Sequence, residues 1–496
     1  MFSTKRLTAA WGVCASRKAR SFVFLFIAIV TLAEESPSQG QPPAYEGELH
    51  SMAAINIRDA ELSRTITGLN EPWAIEFITA DEILVTEIRG RLLRIRLDNE
   101  GERAEIAGLP PIATERQQTG LLDVALHPRF ERNRRIYFSY AEADRETGRY
   151  YRTQLASAIL AGNQLNDLTR LLDDGIHGWS PSNFGGAIAF DQEGHLLVSI
   201  GDRSEEVLAQ RGDRLEGKVL RLNDDGTVPD DNPFIDDPDV DDRIFALGIR
   251  NAQGLDRDPE TGVVYFAEHG PLGGDEVNIL RKGANYGWPK ITYGRNYSTA
   301  PMGEGTHKPG YEQPLFYYLP SEAISPLLLV RGGPFPEWDG DLLIGTLKGK
   351  HISRLDLDGD VVRSEYPILG EINSRIRDLK QGPEGTIYIL TQDGDLLRLT
   401  RTGEAGLAQS TGDGKAVYEQ VCAGCHDTGA AGAPALIDSC RWKSIANQPI
   451  EQTYRNTFEG IGEMPERGLC FICNDDHLKR AVDYMLEAAS ACADEG

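Results

Sequence analysis

Between about residues 65 and 400, the chain alternates short apolar runs with turns rich in Gly and Asp. The runs are about five residues long, which is too short for helices, and their β-branched and aromatic residues favour strands. Several are followed by a second run after a turn, as at 91–95 and 394–399. The clearest first runs are 82–86, 135–139, 195–199, 263–267, 341–345 and 386–390.

A strand-turn-strand unit recurring six times predicts radially repeated antiparallel blades. We therefore expect an all-β six-bladed β-propeller over residues 61–400. A propeller has no long exposed edges, and loops around its central channel can build a site. The alternative is a β-sandwich, but this region is long for a single sandwich.

The pattern changes after the last strand. Residues 401–413 are small and polar, which predicts a linker. In residues 414–496 the apolar positions recur at helical spacing, and Asp475-Asp476 precedes an amphipathic terminal helix over 478–486. The second domain is therefore expected to be small and all-α.

The N-terminus reads as a targeting segment. Five Lys and Arg residues precede an apolar run over 21–33, which is short for a membrane span and ends in a small residue. We predict a cleaved signal peptide over 1–33, with an uncleaved anchor as the alternative, and a polar, Pro-rich tail over 34–60. The mature protein is expected to be periplasmic or otherwise exported, without a membrane span.

Charge and cysteine content restrict the partners and the fold. The formal net charge is −25, which argues against nucleic acid and favours steering of basic partners. None of the seven cysteines lies between residues 46 and 410, so disulfides do not stabilise the β region. An exported setting would allow cysteines of the second domain to oxidise.

Cys422, Cys425 and His426 form a C-x-x-C-H motif. Its thiols can add to the vinyl groups of a haem, and its imidazole can bind the iron. Met464 lies downstream in Gly-Ile-Gly-Glu-Met-Pro and is a candidate sixth ligand, which predicts an electron-transfer haem c. The alternatives are a zinc or redox C-x-x-C and a Met that only fills the core.

Residues 414–488 resemble the class I cytochromes c, in particular the small cytochrome c5 type. Gly414, Tyr418 and Tyr484 match the crossed terminal helices of that fold. The resemblance implies that the Pro434 carbonyl accepts the N–H of the iron-bound His426, and that Cys470 and Cys473 form a disulfide. Whether Cys440 and Cys492 also pair stays open.

The β region resembles soluble quinoprotein sugar dehydrogenases, particularly the aldose sugar dehydrogenase branch, which use pyrroloquinoline quinone (PQQ). The resemblance extends from about Leu69 to Arg398. It rests on motifs in the family's order, at 118–128, 184–186, 200–203, 217–222, 250–251, 268–278, 285–289, 347–348 and 375–378.

The resemblance implies a set of cofactor ligands. PQQ carries three carboxylates, so an acidic protein must gather cations locally to hold it. The alternative for each cation is an ordinary solvated charge. The matching positions are the cations Arg250, Lys348, Arg375 and Arg377, with Gln118 and Asn251 as neutral hydrogen-bonding partners.

Calcium is the second implied cofactor, because hard cations take oxygen ligands. By resemblance, the Gly270 and Pro271 carbonyls would hold a Ca²⁺ that also touches the quinone. Asp275, Glu276 and Tyr286 match a second, structural calcium site. The alternative for these three is a Gly-rich hairpin loop with solvated acids.

The chain departs from the family at the catalytic base. The family has a His at the position of Asn183, and an amide cannot accept the proton of a hydroxyl. His177 and His269 are candidate substitutes. Alternatively, Asn183 orients a substrate that is deprotonated by other means, or the propeller only binds a ligand. The family's Arg after the Gly pair is Ala187, and a frequent Trp is Tyr318, so the substrate stays open.

The sequence thus predicts a dehydrogenase that oxidises a small sugar or other alcohol with PQQ and passes electrons to haem c. An external acceptor, such as a cytochrome or azurin-like carrier, would then take them. The rival is a propeller that binds PQQ, another ligand, a glycan or a protein without sugar oxidation, next to an electron-relay haem.

Overall fold

In the computed structural model, six four-stranded antiparallel sheets confirm the predicted six-bladed propeller. The predicted signal peptide, the tail up to residue 59 and residues 402–413 lie outside the described part of the chain. The structure describes residues 60–97, 101–116, 118–144, 146–148, 150–172, 178–401, 414–418, 422–429, 432–462, 464 and 475–491.

Five blades consist of four consecutive strands, in which the first strand is innermost and the fourth is outermost. Blade 1 has β2 Pro72–Thr79, β3 Glu82–Glu87, β4 Arg91–Arg96 and β5 Arg103–Glu105. Blade 2 has β6 Leu121–Leu126, β7 Arg135–Ala143, β8 Tyr151–Ala161 and β9 Gln164–Arg170. Blade 3 has β10 Gly185–Phe190, β11 Leu196–Ile200, β12 Lys218–Leu222 and β13 Ile244–Leu247. Blade 4 has β14 Ala252–Arg257, β15 Val264–Glu268, β16 Asp275–Ile279 and β17 Phe316–Tyr318. Blade 5 has β18 Ile324–Leu329, β19 Leu342–Thr346, β20 Ile352–Asp358 and β21 Val361–Ile368.

The sixth blade closes the ring with both ends of the β region. Its inner strands are β22 Ile376–Gln381, β23 Ile387–Thr391 and β24 Leu396–Arg401, and its outermost strand is β1 Ala60–Ile66. β1 pairs with β24 from Ala60 opposite Arg401 to Ile66 opposite Leu396. This pairing joins the first described residues to the last strand, so it covers the outer edge of β24 and closes the ring.

The core lies between neighbouring blades. Middle strands read as continuous apolar runs because both of their faces are covered, and Ile83, Leu84 and Val85 are all fully buried. Leu84 of blade 1 packs in one cluster with Val124 and Phe138 of blade 2. The same stacking around the ring explains why the apolar runs are continuous rather than alternating.

Every second blade carries a buried carboxylate near the axis, and this carboxylate joins its blade to the next one. Asp123, Asp256 and Asp378 each lie on an inner strand, and each accepts a backbone N–H from the inner strand of the next blade. They line a cavity of about 250 Å³ together with Lys380. Burial raises the pKa of Asp123 to about 6 and that of Asp378 to about 7.

The two ends of the strands define two faces of the propeller. We call "site face" the end that carries the loops before each inner strand and between each second and third strand. The other end is the "opposite face". β24 runs from the site face and ends at Arg401 on the opposite face, because it is antiparallel to β23.

We call the helical region from residue 414, which contains the predicted haem-attachment motif, the haem module. Helix α1 Phe130–Asn133 lies in blade 2, and the module contains α2 Gly414–Val417, α3 Ala423–His426, α4 Ser439–Ala446, α5 Ile450–Glu459 and α6 Asp475–Ala491. A Cβ at Gly414 would lie 2.0 Å from the Arg480 carbonyl oxygen, so α6 crosses α2 where only glycine fits. The Tyr418 and Tyr484 rings are 5.3 Å apart, as expected for the crossing. No helix in the described part of the chain has the length and apolar character to cross a membrane.

Candidate functional site

Most of the residues singled out in the propeller sequence lie on the site face. Gln118 and Asn183 precede the inner strands of blades 2 and 3, and Arg250 and Arg375 precede those of blades 4 and 6. The loop after β15 brings His269, Gly270 and Pro271 to the same end. Because inner strands converge on the axis, residues far apart in sequence meet around the opening of the central channel on the site face. We call this opening the mouth. His177, the other candidate base, lies outside the described residues.

Two arginines of blade 6 share one neutral acceptor. Arg375 Nε and Arg377 donate to the same Gln392 oxygen, at 2.6 and 3.1 Å, and the Arg377 guanidinium lies 4.5 Å from the Trp73 ring. Within the described chain neither has a carboxylate within ion-pair distance. Burial, and then repulsion by Arg375, lowers the pKa of Arg377 to about 9. Such a pair of guanidiniums fits an anionic ligand.

Arg250 reaches the same region from blade 4. Its Nη1 donates to the His269 carbonyl at 2.9 Å and the Gly270 carbonyl at 3.1 Å. Its guanidinium also lies 5.5 Å from the Trp288 ring. The arginine therefore fixes the loop whose carbonyls were predicted as calcium ligands, and its guanidinium forms no ion pair with a carboxylate among the described residues.

His269 is a partly buried group that the charges of all three arginines affect. Burial, and then the charges of Arg250, Arg377 and Arg375, lower the pKa of His269 to about 3. Its Nε2 lies 3.1 Å from the Gln253 side-chain oxygen, which also accepts the Ser325 hydroxyl at 2.9 Å. An N–H on Nε2 suits that oxygen, so Nδ1 is the unprotonated nitrogen of a neutral ring.

Lys348, the fourth predicted cation, is placed differently. Its ammonium group is exposed and donates to the Ser321 carbonyl at 2.7 Å. The Ser321 hydroxyl in turn donates to Asp275, which accepts the Gly270 N–H. Lys348 is therefore connected to the Gly270 loop only through Ser321 and Asp275, and it does not contact the arginines directly.

Asn183 is held by a buried hydrogen-bond network. Its backbone N–H donates to the Gln118 side chain at 2.9 Å, and its Nδ2 donates to Asp202 at 2.9 Å. Asp202 also accepts Trp288 Nε1 at 2.9 Å and the Ser204 N–H at 2.8 Å. Because a carboxylate accepts only N–H and O–H groups, the amide cannot be reversed, and its oxygen is the free end.

Asn251 completes this wall of the mouth. Its side-chain oxygen accepts the Gly185 N–H at 2.9 Å, and its carbonyl accepts the His269 N–H at 3.1 Å. It thus joins the loop of Asn183 to that of His269 by internal hydrogen bonds, which gives it a structural function whatever the pocket binds.

Asp275 and Glu276, the acidic residues predicted at the structural calcium site, differ in their hydrogen-bond partners. The Asp275 carboxylate is saturated by the Gly270 N–H at 2.8 Å, the Ala323 N–H at 2.7 Å and the Ser321 hydroxyl. Glu276 lies opposite Glu268 in the β15–β16 ladder, and its best hydrogen bond is from Asn278 at 3.5 Å. Burial first, and then repulsion by Glu268, raises the pKa of Glu276 far above its usual value. A cation beside this pair would remove the repulsion, so Glu276 fits a metal better than Asp275 does.

Tyr286 is buried, and its hydroxyl is already used. It donates to the Ile279 carbonyl at 2.6 Å and accepts the Arg281 N–H at 2.8 Å. Its backbone N–H donates to Leu247. The side chain of Tyr286 is therefore unsuited to bind a metal, and only its carbonyl is available.

The candidate haem-attachment residues, Cys422, Cys425 and His426, lie on one continuous segment. Cys422 is half-buried, Cys425 is exposed and His426 is buried. His426 Nδ1 lies 3.0 Å from the Pro434 carbonyl, as the resemblance implied, so a proton on Nδ1 would leave Nε2 free for iron. Met464 exchanges two backbone hydrogen bonds of 3.0 Å with Ile461, which form a tight turn. Cys470 and Cys473 lie outside the described residues.

Three residues of the pocket carry functions that sequence reasoning did not assign. Asp202 orients Asn183, Gln392 joins the two arginines, and Glu268 accepts the Arg250 backbone N–H at 2.6 Å. Asp202 and Glu268 lie inside the family motifs, so their positions were a signal. Gln392 lies outside them, and only the fold brings it to Arg375.

Comparison with known proteins places both regions. Residues 69–398 match the family model "Glucose / Sorbosone dehydrogenase", and residues 409–485 match "Cytochrome C oxidase, cbb3-type, subunit III". Aldose sugar dehydrogenase YliI of Escherichia coli is 37% identical over 342 residues, covering 67% of this chain and 90% of that protein. Cytochrome c5 of Azotobacter vinelandii is 35% identical over 74 residues, covering 14% of this chain and 89% of that protein.

Solved structures give the same result for the propeller. A crystal structure of a glucose dehydrogenase aligns at a TM-score of 0.65 with 38% identity, covering 69% of this chain and 99% of that one. The PQQ-bound form of aldose sugar dehydrogenase from Streptomyces coelicolor aligns at a TM-score of 0.57 with 22% identity, covering 70% of this chain and all of that one.

Proposed function

The chain belongs to the glucose/sorbosone dehydrogenase family over residues 69–398 and carries a C-terminal cytochrome c domain, and from this premise we propose that it is an exported quinohaemoprotein dehydrogenase. In this proposal a sugar or other small alcohol is oxidised at the site face with PQQ. The electrons go to haem c and then to an external one-electron carrier, such as a cytochrome or azurin-like protein.

One observation carries the proposal. Arg250, Arg375 and Arg377 come from two blades, their guanidiniums form no ion pair with a carboxylate among the described residues, and the charges of all three contribute to the low pKa of His269. Holding unpaired guanidiniums at one buried place is unfavourable unless an anion neutralises them. A tricarboxylate supplies that charge, and forked guanidiniums suit carboxylate geometry. Lys348 is the most exposed of the four cations and would bind at the rim.

The oxygen atoms at the mouth suit a calcium ion beside that anion. The Gly270 carbonyl accepts from Arg250 and faces the same region, and the Pro271 carbonyl follows it. The buried Glu276 with the Tyr286 carbonyl would hold the second, structural ion, whereas Asp275 fastens the loop. Bound PQQ, with calcium as a Lewis acid, supplies a two-electron acceptor for the hydride of the substrate carbon.

The residues of this chain orient the reacting hydroxyl. The free oxygen of Asn183 is a hydrogen-bond acceptor, fixed because Nδ2 is held by Asp202 and the backbone by Gln118. It can hold the hydroxyl proton but cannot remove it. His269 Nδ1 is the available nitrogen base, and neutralisation of the three arginines would raise its pKa from the low value of the empty pocket.

The cytochrome c domain implies haem c, attached through Cys422 and Cys425. His426 Nε2 is the proximal ligand in this proposal, and Met464 is the distal one. A single haem iron accepts one electron at a time, as it passes from the ferric to the ferrous state, so each substrate requires two haem reductions.

Anaerobic loading tests the proposal directly. The purified protein is titrated with PQQ and Ca²⁺, bound quinone is measured by mass spectrometry, and haem reduction is followed by absorbance with a panel of aldoses and alcohols. We expect one quinone per chain and reduction of the haem by at least one aldose. Stoichiometric haem with no quinone binding would overturn the proposal.

A second function is favoured by Asn183 alone. If the propeller binds quinone or a glycan without oxidising it, the haem would serve a separate relay. Quinone bound at one per chain, with no substrate reducing either the haem or a soluble dye, would identify this alternative.

A further inference from the structure

Arg203, in the loop between β11 and β12 on the site face, is a buried cation. The residue is 1% exposed, and its Nε has no hydrogen-bond partner among the described residues. Its guanidinium forms no ion pair with a carboxylate in the described part of the chain, and burial lowers its pKa to about 9. A guanidinium buried without an ion pair is unfavourable unless other contacts offset the cost.

The contacts that hold the Arg203 side chain all come from the loop that carries Asn183. Nη1 donates to the Ser182 carbonyl at 2.6 Å, and Nη2 donates to the Ser180 carbonyl. The guanidinium lies over the Phe184 ring, 3.4 Å from its centroid. The Arg203 backbone N–H also donates to the Asn183 carbonyl at 3.2 Å. One residue thus contacts the loop on both sides of Asn183.

The backbone at this contact is strained. Asn183, Arg203 and Ser204 have φ angles of +54°, +55° and +56°, a left-handed conformation that residues other than glycine adopt at a cost. A Cβ at Gly201 would lie 2.2 Å from the Asn183 carbonyl oxygen, so the two loops are as close as a glycine allows. Such conformations persist only where the surrounding contacts impose them, and they concentrate at functional sites.

Asp202 and Arg203 fix different parts of Asn183. Asp202 accepts Asn183 Nδ2 at 2.9 Å, which fixes the rotation of the amide. Arg203 holds Ser182 and Phe184, the residues on either side of Asn183, which fixes the direction in which the side chain leaves the backbone. The amide oxygen has a single position only when both are fixed.

We propose that Arg203 is a positioning residue, which directs the Asn183 amide oxygen into the mouth through its contacts with the loop at 180–184. This inference rests on the proposed function, in which that oxygen orients the reacting hydroxyl of the substrate. Because Arg203 is almost fully enclosed, it cannot contact the substrate and acts only through the loop.

A double-mutant cycle with Asn183 tests this role. With a soluble dye as electron acceptor, Arg203→Ala should lower kcat/KM for an aldose about tenfold in the wild-type background, because a small displacement of an orienting group is costly. In the Asn183→Ala background the same substitution should change kcat/KM less than about twofold, since no amide is left to position. An equal loss in both backgrounds would overturn the proposal.

A matched control separates positioning from a general loss of stability. Arg354 is half-buried near the opposite face, lies 5.3 Å from the Trp338 ring and pairs with Asp341 at 2.6 Å. Arg354→Ala should lower the free energy of unfolding but leave kcat/KM unchanged in both backgrounds.

Arg203→Lys is the milder variant, and it serves if Arg203→Ala does not fold. It keeps the charge but cannot donate to two carbonyls while it stacks on a ring. It should therefore lower kcat/KM less than Arg203→Ala does, and only where Asn183 is present.

Hydrogen exchange gives a readout that does not depend on activity. Amide exchange is measured by mass spectrometry on the full-length, quinone-free protein, in which the Asn183 N–H donates to Gln118. In Arg203→Ala, exchange in peptides covering residues 180–185 should be about tenfold faster, because the loop opens more often. Millimolar methylguanidinium should restore both the protection and kcat/KM, whereas tetramethylammonium at the same ionic strength should restore neither.

Wild-type exchange over residues 180–185 in both Arg203 variants would show that the arginine does not hold the loop, and the proposal would be wrong. This measurement still decides the positioning role if no aldose reduces the dye, in which case the proposed function fails separately.

Discussion

The candidate haem site is encoded by a local sequence motif, whereas the candidate pocket of the propeller is formed by residues that lie far apart in the sequence. Four of the five candidate haem residues, Cys422, Cys425, His426 and Pro434, lie within thirteen residues. The pocket of the propeller uses side chains from Gln118 to Gln392, carried by loops of four blades. A covalent site can be recognised from one short motif, because its chemistry needs only local spacing. A site formed by residues far apart in the sequence has no distinctive local pattern, because only the fold brings those residues together.

The electrostatics of the two regions also differ. The haem module offers thiols and an imidazole, which would hold a haem by covalent and coordinate bonds rather than by ion pairs. The pocket gathers three cations without ion-pair partners among the described residues, and burial together with their charges lowers the pKa of His269 to about 3. The empty pocket is thus destabilised by its own charges and depends on an anion for relief. The haem site carries no comparable charge.

The largest effect of a substitution is expected at the candidate haem site, whose residues lie closest together in the sequence. Cys422→Ala/Cys425→Ala removes both attachment points and should abolish covalent haem completely, as measured by denaturing absorbance or mass spectrometry. The pocket shares no residue with this segment, so quinone affinity should stay at the wild-type value. Loss of quinone binding in the same variant would contradict the independence of the two regions.

The pocket should lose affinity in proportion to its cations. Arg375→Met/Arg377→Met removes two charge-assisted contacts of roughly 1.5–3 kcal/mol each and should weaken quinone binding about 10³-fold. Tryptophan quenching is a suitable measurement, because Trp73 lies against Arg377. Arg398→Met, at an exposed position on β24, is the matched control. Equal affinities of the two variants would mean that the anion binds elsewhere.

Much of this architecture could be predicted from the sequence. The six apolar runs became the second strands of six blades, and the crossing of α2 and α6 followed from Gly414 and Tyr418. Blade strands and the C-x-x-C-H segment are encoded in local patterns, namely apolar runs between turns and fixed ligand spacing. The arginines were placed at one face only through the family resemblance, since composition alone gives no reason to gather them.

The remainder depends on contacts that no local pattern records. Asp275 was expected at a calcium ion, but its carboxylate is filled by Ser321 and Ala323, which lie more than forty residues away. Gln392 was not noticed because a single glutamine after a strand has no distinctive spacing. Lys348 matched its motif, yet it contacts the pocket only through Ser321 and Asp275.

Restoring a base at residue 183 sharpens the comparison on the propeller side. In Asn183→His, Nδ1–H could donate to Asp202 as the amide does, and Nε2 would face the mouth as a general base. We expect the rate of aldose oxidation with a soluble dye to rise about 10²-fold. The pH profile should gain a limb near the ordinary imidazole pKa of about 6.5. Asn163→His, at an exposed position in the turn between β8 and β9 on the opposite face, is the control. A slower enzyme with an unchanged pH profile would show that a base already acts elsewhere.

The smallest effect concerns the electrostatic cost of the empty pocket. The pKa of His269 is about 3 when folded and 6.5 when unfolded, so this residue binds a proton only on unfolding. Its contribution to stability is therefore present above pH 6.5 and is lost as the pH falls towards 3. Between pH 7.5 and pH 5, the free energy of unfolding of quinone-free wild type should fall by about 2 kcal/mol more than that of His269→Gln.

His307→Gln, at an exposed position, is the control, and the measurement is denaturant unfolding of the propeller followed by tryptophan fluorescence. The other buried carboxyls titrate equally in all three proteins and cancel in the difference. Bound quinone should reduce this loss, because its carboxylates neutralise the arginines that lower the His269 pKa. Parallel pH curves for wild type and His269→Gln without quinone would mean that neither burial nor the three guanidiniums lower the pKa of His269, and the electrostatic contrast between the pocket and the haem site would fail.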